Sequence, residues 1–103
     1  MADSDVQLEE EIRRGEHARQ IVEDDLFRET VSAMREALIS GIQRSAFIDE
    51  KLREKLCQRL ALLEDLVGQL KTHMETGKFA AEEIRQKSLR EKVLSMAQRA
   101  VNW

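Results

Sequence analysis

The sequence predicts an all-α fold of three to four helices, arranged as a long antiparallel hairpin or bundle that associates into oligomers. Three observations carry this expectation. Proline is absent and glycine occurs four times in 103 residues, so few positions punctuate the chain. Aromatic residues make up only 4%, while Leu, Ala, Glu, Lys and Arg are abundant, a mixture that favours helix over strand. Apolar residues recur every three or four positions through most of the length, the period of a helix face.

The first helix is expected over about 5–23, with residues 1–4 frayed. Ser4 or Asp5 can cap it, because a short side-chain oxygen accepts from the orphan N–H groups of a first turn. Glu9, Glu10 and Glu11 then stand where the helix dipole favours negative charge. Its apolar stripe is thin: Leu8, Ile12, Gly15 and Val22, with Ala18 beside it. Such a helix is marginal alone and must be held by packing.

The second helix is expected over about 25–44, capped by Asp24 or Asp25. Phe27, Val31, Met34, Leu38 and Ile42 form its stripe, and Leu26 and Ile39 widen it. Ser40-Gly41 weakens its end, and Ser45-Ala46-Phe47-Ile48 reads as a loop before a new cap at Asp49.

The third helix, about 49–76, has the clearest pattern. Leu56, Leu60, Leu63, Val67, Leu70 and Met74 are spaced 4, 3, 4, 3, 4, a heptad seam, with Leu52, Leu62 and Leu66 thickening it. Some 27 residues at about 1.5 Å each run roughly 40 Å, longer than most small domains are wide. Gly77 reads as the residue that ends it. A fourth helix over about 79–101, or a continuation through Gly77, carries Leu89, Val93, Met96, Ala100 and Trp103 at spacings 4, 3, 4, 3. The seam and this last stripe are the expected interfaces between chains. Trp103 is either tucked back or offered to a partner.

Several function classes are disfavoured. The longest apolar run is Leu60-Ala61-Leu62-Leu63, against the ~20 residues of a membrane span. The Met-Ala-Asp-Ser-Asp start is acidic where a signal peptide is basic. Cys57 is the sole cysteine and reads as a small core or boundary residue, in keeping with a reducing compartment. His17 and His73 fall in different helices, and no metal-ligand spacing or Gly-rich phosphate loop occurs. The sequence therefore supplies no catalytic, cofactor-binding or metal-ligating set, and a non-enzyme without cofactor is expected. Mid-helix Gly68 marks either a close helix crossing or a tolerated defect.

Charge is uneven. Residues 1–50 carry 13 acidic and 6 basic side chains, whereas residues 78–103 carry 3 and 6. This suggests electrostatic pairing of the two ends, a tail meeting an acidic partner, or simply a solvated surface. Arg85, Lys87, Arg90, Lys92 and Arg99 could contact phosphates if they share one face. The sequence pI near 5.5 and the lack of interleaved aromatics place nucleic-acid binding second to protein binding.

Two stretches resemble known sequences. Arg14-Gly15-Glu16-His17-Ala18-Arg19-Gln20-Ile21-Val22-Glu23-Asp24-Asp25-Leu26-Phe27 looks like one, and Leu70-Lys71-Thr72-His73-Met74-Glu75-Thr76-Gly77-Lys78-Phe79-Ala80 like the other. As a pair they are similar to a family of short all-helical proteins encoded by tailed bacteriophages and prophages, often among virion-structure genes. The likeness covers about residues 8–81 and leaves 82–103 outside it. It implies a phage protein of the host cytoplasm or the virion and assigns no catalytic residue. The expected function is protein–protein interaction in virion assembly or packaging. A small-terminase-like nucleic-acid-binding subunit and an inhibitor of a host enzyme or defence system are the alternatives.

Overall fold

A computed structural model describes residues 2–45 and 49–101, and within that range all regular structure is helical. Helix α1 spans Ala2–Glu23, α2 spans Asp25–Ser45, and α3 spans Glu50–Val101. Both α1 and α2 pack against α3 and barely touch each other. Their registers run opposite to α3: Asp5 meets Lys87, Gly15 meets Gly77, and Arg35 meets Glu64. The molecule is an antiparallel hairpin in which α1 and α2, placed end to end, follow one long helix. At about 1.5 Å per residue, 52 residues give roughly 78 Å, which accounts for the long dimension of 83 Å beside 25 and 21 Å. The radius of gyration is 22.8 Å, against about 13 Å for a compact domain of similar length.

Asp24 separates α1 from α2 and caps α2. Its Oδ2 accepts from the Phe27 N–H at 2.9 Å, while its own N–H is held by the Ile21 carbonyl at 3.2 Å. Asp49 repeats the device for α3, with Oδ1 accepting from the Leu52 N–H at 3.1 Å. At the other end, Ser4 and Asp5 lie inside α1 rather than at its cap. The Asp5 carboxylate accepts instead from Lys87 Nζ at 3.3 Å across the hairpin. The expected loop at 45–48 falls largely outside the described residues, and Ser45 is the last residue of α2, its buried hydroxyl donating to the Ile42 carbonyl at 3.1 Å.

Of the two expectations at Gly77, a helix end or a continuation, the structure has the continuation. The chain stays helical through it, and no glycine adopts positive φ. Gly77 serves instead as one half of a backbone-to-backbone crossing. A Cβ built on Gly15 would lie 2.8 Å from the His73 carbonyl oxygen and 2.9 Å from the Gly77 Cα. Buried Ala18 and Ala80 belong to the same α1–α3 contact region. Close backbone approach supplies dispersion contacts that the thin apolar stripe of α1 could not provide alone. Gly68, by contrast, has nothing within 4 Å of where its Cβ would be, so it marks no crossing.

The α2–α3 half packs through side chains. Val31, Leu63 and Val67 form the core cluster, with Phe27 and Leu38 against it. Arg35 Nε donates to Glu64 Oε1 at 2.6 Å along one flank.

Candidate functional site

The heptad seam is covered by this chain itself. Leu63 and Val67 are buried, and Leu56, Leu60, Leu70 and Met74 are half-buried, all on the side that meets α1 and α2. These six side chains, expected at an interface between chains, thus face helices of their own chain. A single antiparallel neighbour suffices to shield one seam, and α1 plus α2 provide it.

Residues assigned to the edges of the core are the ones left bare. Leu62 is 70% exposed and Leu66 54%, with Met34 at 50% across from them. With Ala37, Leu38, Arg59 and Leu63 they line an apolar groove of about 670 Å³ between α2 and α3. Leu62 and Leu66 sit about a quarter-turn or more off the seam, so α2 cannot reach over them. Cys57 also faces solvent rather than the core.

The last stretch of α3 forms a second bare surface. Lys87 meets Asp5 near the start of α1, and beyond that level α3 continues with no helix beside it among the described residues. Every residue from 88 to 100 is exposed, including Leu89, Val93, Leu94 and Met96. The stripe Leu89–Val93–Met96 is out of phase with the half-buried Ile84 and Lys87 that continue the seam, so it turns away from the hairpin. Trp103 lies outside the described residues.

Between the two surfaces stands Phe79, 76% exposed. Sequence reading passed over it, although its phase held the signal: seam spacing carried forward from Met74 reaches Gly77 and then Ala80 or Ala81, never position 79.

No family model, curated protein or solved structure matches this chain. The site is therefore read from its own chemistry.

The basic residues of the C-terminal stretch do not form one strip. Arg85 donates to Glu82 at 3.0 and 2.6 Å, and Lys87 is engaged with Asp5. These bonds from Arg85, with a third from Gln86, hold the Glu82 carboxyl down at about 2. Arg90, Lys92 and Arg99 make no ion pair among the described residues. Arg90 and Lys92 are two positions apart, which on a helix is about 200° around the axis. The other charged contacts brace the surface: Arg19 bridges Glu16 and Glu23, and Arg14 meets Glu10 at 2.8 Å.

No group of three or more metal-ligating side chains occurs among the described residues, and His17 and His73 are both exposed on different helices. A recess of about 970 Å³ beside the α1–α2 break mixes Val22, Phe27 and Met74 with Glu23, Arg28 and Lys71 on an open flank. No helix among the described residues is long and apolar enough to cross a membrane.

Proposed function

We propose that this chain is a non-enzymatic adaptor that acts by binding protein chains, and that its setting is the assembly or packaging of a tailed-phage virion, in the host cytoplasm or in the virion itself. The observation that carries the reading is the run of bare apolar side chains along α3, in two patches at Leu62 and Leu66 and at Val93 and Met96 with Phe79 between them. Large apolar side chains left exposed in patches on a rigid element mark interaction surfaces, because leaving them wet costs free energy that a partner recovers. The phage setting rests on the resemblance at residues 14–27 and 70–80.

The nucleic-acid reading draws less support. Two of its five cations are spent on intramolecular carboxylates, and Arg90 and Lys92 point to opposite sides of the helix. Affinity capture from phage-producing cells tests the proposal. The wild-type chain should retain virion or packaging proteins, and a Val93→Ser/Met96→Ser variant should lose them. Retention of a host enzyme or defence protein in place of virion proteins would replace this reading with an inhibitor.

A further inference from the structure

We infer that the C-terminal stretch of α3 docks an acidic helix of another protein as a short coiled coil of two unlike strands. The inference rests on the protein-binding reading above and states the chemistry of the partner.

The arrangement of charge around the stretch carries it. Leu89, Val93, Met96 and Ala100 are spaced 4, 3, 4 and are all exposed. At about 100° per residue they fall within an arc of about 60°. Lys92 and Arg99 lie about 70–90° to one side of the centre of that arc, and Arg90 lies about 90° to the other. Glu91, the one acidic residue between positions 88 and 101, stands on the back of the helix. All three cations therefore flank the apolar stripe, and none of them makes an ion pair among the described residues. A stripe of two apolar positions in seven is the width of a coiled-coil seam, and the side chains flanking such a seam choose the partner by charge.

The flanks select against a second copy. Arg85, Lys92 and Arg99 occupy one flanking row, seven residues apart, and Arg90 occupies the other. Antiparallel pairing of two copies along the stripe would set the first row against itself, cation against cation. Parallel pairing would set each Arg85 against the Arg90 of the other copy. A helix with carboxylates in its own flanking rows meets these cations with attraction in either direction.

The same face selects against an extended anionic surface. Helix α3 is unbroken, and its length accounts for the 83 Å dimension, so it is close to straight. Glu82 and Glu75 stand seven and fourteen residues before Leu89, both exposed and within about 40° of it around the axis. A bilayer lying on the stripe would also meet these carboxylates, and an anionic one would repel them. A partner helix of about four turns, matching the roughly 21 Å of residues 88–101, covers the stripe and ends before them. A nucleic acid would satisfy the cations through its phosphates and leave Leu89, Val93 and Met96 without an apolar cover.

The probe is a labelled peptide of about three heptads, with leucine and valine at its seam positions and glutamate at its flanking positions. Fluorescence anisotropy against the full-length chain should show it binding at least about tenfold more tightly than two controls, the same peptide with lysine flanks and the glutamate peptide with serine at its seam. Val93→Ser/Met96→Ser should weaken the glutamate peptide by about tenfold or more. Arg90→Glu/Lys92→Glu/Arg99→Glu alters exposed positions, so it should keep the helical dichroism of the parent and prefer the lysine-flanked peptide. Equal binding of the two glutamate peptides, equal binding of the glutamate- and lysine-flanked peptides, or no binding of any overturns the inference. So does co-sedimentation with vesicles of phosphatidylglycerol and phosphatidylcholine that Val93→Ser/Met96→Ser abolishes, or light scattering that shows a dimer dispersed by that variant. A parent that binds no peptide yet captures virion proteins ends this inference and keeps the proposed function, whereas a parent that binds the glutamate peptide and captures none does the opposite.

Discussion

The Gly15–Gly77 crossing makes a sharp test of how this hairpin is held, because a single added methyl group has opposite effects at two glycines of the same chain. In Gly15→Ala the new Cβ would sit 2.8 Å from the His73 carbonyl oxygen and 2.9 Å from the Gly77 Cα. Both are backbone atoms, so no rotamer change relieves the clash. Ordinary contact lies some 0.5–1 Å further out, and α1 must lift off α3 by that amount, loosening the neighbouring contacts of Ala18 and Ala80. Overpacking of this kind costs about 1–3 kcal/mol, and the rigid surroundings place it in the upper part of that range. Alanine returns about 1 kcal/mol through helix propensity. The expected net loss is about 1–2 kcal/mol, which for a chain of this size lowers Tm by about 5–15 °C. In Gly68→Ala the added Cβ meets nothing within 4 Å, so only the propensity gain remains and Tm should rise by about 4–8 °C. Thermal melts followed by helical circular dichroism, at one chain concentration, read both. A Gly15→Ala protein as stable as the parent, or two variants shifting in the same direction, would refute the argument that backbone contact at Gly77 holds α1 in place.

Three further expectations follow from the same coordinates. Leu63→Ala should cost about 2–3 kcal/mol, the lower part of the usual range because the narrow core can partly collapse, while Leu62→Ala at the exposed position just before it should change the chemical-denaturation midpoint very little. Asp24→Ala and Asp49→Ala should each cost about 1 kcal/mol by orphaning the Phe27 and Leu52 N–H groups, seen as lower Tm with native helicity retained at low temperature. The Glu82 carboxyl is held down at about 2, chiefly by Arg85 and then by Gln86; Glu16 is lowered chiefly by its bond from Arg19, and Glu64 by its bond from Arg35. Their folded values lie below the unfolded value of 4.5, so their contribution is complete above it and is lost as pH falls below it, for Glu82 down to about 2. Tm should hold level on the neutral side and decline across that acid window. High salt should flatten the decline, because these pairs are solvent-exposed, and Glu82→Gln should remove part of it.

How far the site was legible depends on which residue is asked about. Leu56 through Met74 announced an apolar stripe by spacing alone, and they are the inward-facing seam of the hairpin. The identity of what buries them was not in the spacing, because a heptad stripe looks the same whether its cover comes from the same chain or another. Leu62 and Leu66 were assigned to that stripe as thickening, yet one helix can shield only about a third of its neighbour's circumference, and they fall outside it. Phe79 stood inside a short motif, off the phase of the seam, and its exposure follows from that phase.

Amino-acid composition and periodicity by themselves determined that this protein is all-α, that its second and third helices start near Asp24-Asp25 and Asp49, and which stripe of each helix is apolar. Those are local properties, set by hydrogen bonds and side-chain phase within a few residues. Tertiary structure alone decided that Gly77 joins two stretches of one helix, that α1 and α2 cover the long seam, and that the side chains of residues 88–100 and Phe79 are left uncovered by the described residues. The physical reason is that a glycine, a leucine stripe or an aromatic side chain has the same local chemistry in either role, and only the distance to a neighbouring backbone selects between them.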